Sequence, residues 1–381
     1  MTLENVSTVE TPEPGSTANP IQVLAREGHG RLAAILRELM ANLPHQFPTV
    51  LPGNRSREGR PDADATPVFT PFRPPPLDQG TWMDRARQVA VAAAVLRREA
   101  PDEARDWLDE RCGLRFDESQ VERAGITLDS QIRGWRRRRL PRSFWLFVVT
   151  WRERISQASG SECLPATCLV AVDQHGYRMV ADFSLGASSH ANWSEMFRSL
   201  DQRGLGDIRG VTARMTPGLF EAAATQWPRA RLQICQRQFI SRARGAQTPG
   251  AKGRRQEPGL QGDPAALASA WTAFLPQAHP VASWAEAPVP GRPSALSILG
   301  LPRELHAHLS SVSWLEREMR PVRIRASQDG LPTQPAMKSR LLSSAIIEWE
   351  SGLDARRSFL LDDAILEVLQ SAPTGQETTT S

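Results

Sequence analysis

The segment Gly204-Leu-Gly-Asp-Ile-Arg-Gly-Val-Thr-Ala-Arg-Met-Thr-Pro-Gly-Leu-Phe-Glu-Ala-Ala223 reads as a strand passing into a helix. Residues 207–213 give the strand and 217–227 the helix, which Pro217 opens because its missing N–H costs nothing in a first turn. Upstream, residues 191–203 place Trp193, Met196, Phe197 and Leu200 on one helical face. Before them the period is two. Phe144–Trp151 is a strongly apolar strand candidate, Thr167–Asp173 a second, and Tyr177–Leu185 a third, entered through a turn at His175-Gly176. Downstream, residues 231–236 give a fifth strand.

The resulting order, βββαβαβ, predicts an antiparallel three-strand meander joined to parallel strands through helical crossovers. That is an α+β / α/β chain with an RNase H-like mixed-sheet core. Residues 143–242 supply the first part of the core. Residues 243–302 form a helical insertion, with Trp271 and Trp284 in helical segments between Pro- and Gly-rich stretches. Residues 303–370 complete the core, with helices over 303–320 and 336–369. The start of the insertion, 243–263, is loop-like and carries Arg244, Lys252, Arg254 and Arg255 against Glu257 and Asp263.

Ahead of the core the chain is predicted to be helical. Residues 1–20 are Thr-, Glu- and Pro-rich and read as disordered. Residues 21–43 suit one amphipathic helix, and 44–80, with nine prolines, an extended linker. In the 81–142 region a helix is expected over 82–96. A second follows Pro101 and stops near Gly113, with Ala104, Trp107 and Leu108 inward. A third starts at Asp117, where Asp117 and Gln120 suit a capping box. Three helices with a Gly-containing turn fit a helix-turn-helix DNA-binding region, and equally a plain bundle. Trp135-Arg-Arg-Arg-Arg-Leu-Pro-Arg142 then leads into the first strand. Phosphate contact and a charged hinge are both open readings of this run.

Composition narrows the class. The chain has 381 residues, 40% of them hydrophobic, enough for two or three compact units with a sizeable core. The net charge is +4 and the pI about 9.2, with nearly all cations arginine, whose planar fork suits phosphate. Cys112, Cys163, Cys168 and Cys235 form no C-x-x-C pair and read as reduced structural thiols. No signal peptide or apolar run of membrane length is visible, so a prokaryotic cytoplasmic, nucleoid-associated location is expected. The 371–381 tail reads as disordered. No G-x-S-x-G, P-loop or H-E-x-x-H is present. His306 and His308 would face different sides of a helix, which argues against a shared metal.

From about residue 88 to 350 the chain resembles a Mutator-type insertion-sequence transposase. The resemblance is carried by Leu96–Trp135 with its arginine run, by Leu185-Gly186, Trp193, Leu200 and Arg203-Gly204-Leu205, by the box Gln233-Ile-Cys235-Gln-Arg-Gln238-Phe239, by Trp271 in the insertion, and by Ser313-Trp-Leu315-Glu316-Arg317. The resemblance implies DNA as partner, transposition as activity, and three carboxylates of DDE type holding two Mg²⁺ ions for in-line strand transfer.

Carried onto this chain, the first aspartate falls at Val148, the second at Arg214, and the glutamate is retained as Glu316. The box keeps Cys235 but has Gln238 where the family has histidine. Valine offers no lone pair and arginine repels a cation, so no metal ligand set and no cofactor is assigned. The reading is a degenerate transposase. Alternatives are a non-catalytic DNA-binding regulator, an enzyme with a rebuilt site, and a partner in homo-oligomers or in hetero-oligomers with an intact transposase. An Arg214–Glu316 salt bridge is expected to close a dry, metal-free pocket. Asp173, Asp182, Asp207 and Glu153 are read as surface acids. Arg136, Arg137, Arg138, Arg139, Arg142, Arg254 and Arg255 are the candidate DNA contacts, and no membrane is involved.

Overall fold

A computed structural model describes residues 82–98, 100–157, 160–186, 189–245, 264–274, 282–286, 288–289, 291–327, 331, 333–353 and 367. The expected helix 21–43, linker 44–80 and terminal segments 1–20 and 371–381 lie outside these residues, as do Arg254 and Arg255. The described chain falls into two compact units. One takes residues up to Gly134 together with Arg325–Glu348; the other takes Trp135–Ile324 and the residues from Trp349 on.

The first unit is helical. α1 spans Trp82–Arg97, and its Ala90–Leu96 run is buried. α2, Pro101–Trp107, has proline in its first turn and buries Ala104. It widens into a π turn over Leu108–Cys112, and Gly113, at φ 63°, ends it in the left-handed region that glycine adopts without cost. α3, Glu118–Arg137, starts with the reciprocal cap expected from sequence. The Gln120 N–H donates to Asp117 Oδ1 at 2.8 Å and the Asp117 N–H to Gln120 Oε1 at 3.0 Å.

The second unit is built on a five-stranded mixed sheet of order β3-β2-β1-β4-β5. β1 (Ser143–Gln157), β2 (Gly160–Asp173) and β3 (Arg178–Leu185) form the antiparallel meander. β4 (Gly210–Ala213) runs parallel to β1 with Val148 beside Ala213, and β5 (Arg231–Ile234) parallel to β4. α4, His190–Gln202, and α5, Leu219–Gln226, are the crossovers. α4 buries Trp193, Met196, Phe197 and Leu200, the face expected from its period, and Phe197 meets Trp227 at 5.0 Å. β1 is central and buried on both faces from Phe144 to Val149, hence its unbroken apolar run.

Boundaries differ from expectation at several points. β1 and β2 pair out to Gln157 and Gly160, well past the residues predicted as strand. β4 starts at Gly210 rather than 207. α6, Gln236–Gly245, and α7, Pro264–Phe274, follow the sheet. The helix expected over 303–320 is two: α8, Arg303–Leu309, and α9, Ser313–Glu318. α10, Arg320–Ala326, succeeds them. The helix expected over 336–369 is described as α11, Pro335–Leu353.

Candidate functional site

Hydrogen bonds carry α9 to the end of β4. Thr212, buried in β4, accepts from the Trp145 indole at 2.9 Å and donates to the Leu309 carbonyl at 2.6 Å. The Gln236 N–H, just past β5, donates to the Ser310 carbonyl at 3.0 Å. The Ser311 hydroxyl accepts from the Ser313 N–H at 3.1 Å and lies 3.2 Å from Cys235 Sγ. These bonds break the chain between α8 and α9, because serine hydroxyls compete for backbone groups that a continuous helix would use.

Arg214 is the first residue past β4, and α9 turns Glu316 toward it. Arg214 Nε lies 2.6 Å from Glu316 Oε1, and Nη2 donates to Oε2 at 3.0 Å, a two-pronged guanidinium–carboxylate pair. The strand end is held independently. Gln238 Oε1 accepts from the Met215 N–H at 2.8 Å, and the Ala213 carbonyl accepts from the Cys235 N–H at 2.8 Å. Val148 is 1% exposed between Leu169 and Ala213. The expected ion pair forms, but its surroundings are not dry: the Arg214 side chain is 46% exposed and that of Glu316 21%. The pair sits at the open end of the strand, where the sheet no longer covers it.

Val148, inside β1, thus lies beside the last residue of β4, Arg214 follows that residue, and Glu316 pairs with Arg214; the three do not fit a divalent metal pair. Mg²⁺ takes hard oxygen ligands in near-octahedral geometry. Here one position is a buried aliphatic group, one a cation, and the one carboxylate has both oxygens committed to that cation. Among the described residues no group of three His, Cys, Asp or Glu side chains is placed to hold a metal ion.

Three of the four acids read as surface groups are buried. Glu153, 2% exposed, accepts from the Trp151 indole at 2.5 Å. Asp173 Oδ1 accepts from the His175 and Tyr177 N–H groups, both at 2.8 Å, and shapes the β2–β3 turn. Asp182 accepts from Arg136 Nε at 3.2 Å and Arg203 Nη1 at 3.5 Å. Asp207 is exposed. Each buried acid is spent on a local partner, which is why it is tolerated inside.

The arginine run divides. Arg138 donates to the Glu350 carboxylate and the Val180 carbonyl, both at 2.6 Å, and lies 4.3 Å over the Trp135 ring. Glu350 also accepts from the Trp135 indole at 2.6 Å and the Val180 N–H at 2.7 Å. Arg203 donates to the Arg138 carbonyl at 3.0 Å; burial pulls its guanidinium down to about 10, against the opposing pull of Asp182, so it stays cationic at neutral pH. Arg137, Arg139 and Arg142 are exposed.

Glu350 was not singled out from sequence; it lies 170 residues from Val180 and carries no motif. Trp271 is fully buried against Phe239 at 4.6 Å and Phe274 at 5.4 Å. Cys168 and Cys235 are buried thiols and Cys163 an exposed one. Burial pushes the Cys168 thiol well above the usual range. His306 Nε2 lies 2.8 Å from the Leu301 carbonyl. No described helix is long and apolar enough to cross a membrane.

A family profile described as "Transposase, Mutator family" matches residues 100–255, a stretch that includes Val148 and Arg214. The chain is 26% identical over 298 residues to the transposase for insertion sequence element IS406 of Burkholderia multivorans, covering 74% of this chain and 76% of that one. It is 24% identical over 295 residues to the transposase for insertion sequence element ISRM5 of Rhizobium meliloti, covering 74% and 72%. Across the helical region and the sheet, the chain is thus similar to insertion-sequence transposases of the Mutator family.

Proposed function

We propose that this chain is a DNA-binding Mutator-family protein that has lost strand-cleaving chemistry. The observation that carries the reading is the Arg214–Glu316 pair, which puts a guanidinium where strand transfer needs a metal ion. A cation held by a single carboxylate cannot activate an attacking water or stabilise a leaving 3′ oxygen as a metal pair does. The sheet order β3-β2-β1-β4-β5 with helical crossovers supports an RNase H-like core. α1, α2 and α3, with the Gly113 turn, support a helix-turn-helix-like DNA-binding region. Binding without cutting makes the protein a regulator at the ends of its own element, or a partner that joins an intact transposase.

The test is strand cleavage of the DNA flanking its own coding sequence, with Mg²⁺ or Mn²⁺, in wild type and Glu316→Ala. No cleavage, with a retained shift on a native gel, is the expected result. Cleavage that disappears in Glu316→Ala would overturn the degenerate reading, and an absent shift would overturn the DNA-binding one.

A further inference from the structure

From the last turn of α3 to β1 the chain mixes anchored and exposed side chains. Arg136 reaches Asp182 while its side chain stays 43% exposed, Arg138 turns in to Glu350 and Val180, and Leu140 is 5% exposed with its N–H donated to the Arg203 carbonyl at 2.8 Å. The Leu140 N–H and the Arg138 carbonyl, both bonded to Arg203, hold the backbone of this stretch. Arg137, Arg139 and Arg142 are left exposed, and none pairs with a carboxylate among the described residues. The Arg142 side chain lies against the turn at Gly206, where an added Cβ would meet its Nε at 3.5 Å. The positive φ of 81° is what the turn asks of that glycine. The same turn carries the exposed Asp207, the one acid there that works against anion binding.

Resting on the DNA-binding reading, we propose that Arg137, Arg139 and Arg142 form an edge that takes the phosphate backbone of a nucleic acid, with Arg136 and Arg138 positioning it from behind. Three like charges with no apolar residue exposed between them suit a polyanion rather than a protein partner, whose interface would include apolar contacts. Arginine binds phosphate oxygens in pairs, and an edge already held in its bound shape loses little entropy when the ligand arrives. Such contacts set register on the duplex without reading its sequence. The edge precedes β1, whereas the Arg214–Glu316 pair lies beyond β4, so contact with one does not require contact with the other.

The test uses the full chain, a labelled duplex and a salt titration followed by anisotropy. R137A/R139A/R142A is expected to keep the thermal midpoint and to flatten the slope of log K against log [salt] by about 2.7, the loss of three phosphate contacts. R137K/R139K/R142K is expected to keep the slope, and R136A/R138A to lower the thermal midpoint. Wild-type slope in the triple alanine variant would overturn the proposal while leaving the DNA-binding reading intact. No binding by the wild type at any salt would overturn both. Equal competition by polyglutamate of matched charge would make the edge a general acidic-polymer surface and overturn the nucleic-acid assignment.

Discussion

Glu316 and Glu350 each meet a guanidinium at 2.6 Å, yet their removal has unequal consequences. The Arg214–Glu316 pair is open to water, and exposed pairs are worth about 0–1 kcal/mol. Glu350 and Arg138 are 13% and 14% exposed, and the carboxylate also accepts the Trp135 indole and the Val180 amide. Removing one partner there strands buried donors, at about 3–5 kcal/mol. Urea denaturation should therefore separate Glu350→Ala, strongly destabilised, from Glu316→Ala, close to wild type; equal midpoints would contradict this assignment. His308 offers a pH signature. Burial lowers its pKa, so the folded state binds fewer protons than the unfolded chain near the ordinary histidine value. Stability then falls as pH drops through that value. Between about pH 7.5 and pH 5.5, around the ordinary value of about 6.5, the thermal midpoint of the wild type is expected to fall further than that of His308→Gln. Arg214 and Glu316 were legible in the sequence because each sits in a recognisable segment. Glu350 was not, because its partners are remote and nothing local marks it.

At the scale of elements, β4 shows how a short strand can be sharply specified. It has four residues, each buried, and opens with Gly210. A Cβ at Gly210 would come within 2.2 Å of the Trp145 ring, which is itself held by Thr212. Gly210→Ala must push that ring aside, an overpacking cost of about 1–3 kcal/mol. It is expected to lower the urea midpoint by a corresponding amount, and an unchanged midpoint would show that the ring has room. Strand and helix order was legible because the period switches cleanly between two and 3.6. The Asp117–Gln120 cap was legible because its spacing alone specifies both bonds. The outer half of the β1–β2 hairpin was not, since Gln157-Ala-Ser-Gly-Ser161 and Pro165 carry turn-like composition. Ladder pairing between neighbouring strands decides there, and composition does not report it. The break between α8 and α9 was hidden for a similar reason: the bonds that fix it come from Gln236 and Cys235, far away in sequence.

For the whole molecule, the sequence predicted a helical region followed by a core, in chain order. The core sheet has that order, but the helical unit is discontinuous. Arg325–Glu348 belongs with residues up to Gly134, and Arg340 pairs with Asp129 through two bonds of 2.7 and 2.6 Å. Nothing near Asp129 announces a partner two hundred residues on; such closures depend on tertiary packing that periodicity does not encode. The discontinuity bears on biosynthesis. A ribosome making about 5–20 residues per second needs roughly 10–40 s to cover the ~190 residues between Gly134 and Arg325. During that interval α1, α2 and α3 have emerged without the segment that completes their unit, while the strands of the sheet are appearing. The helical unit thus closes only after the strands of the sheet have been made, and the nascent protein cannot present its finished helical surface until Arg325–Glu348 has emerged.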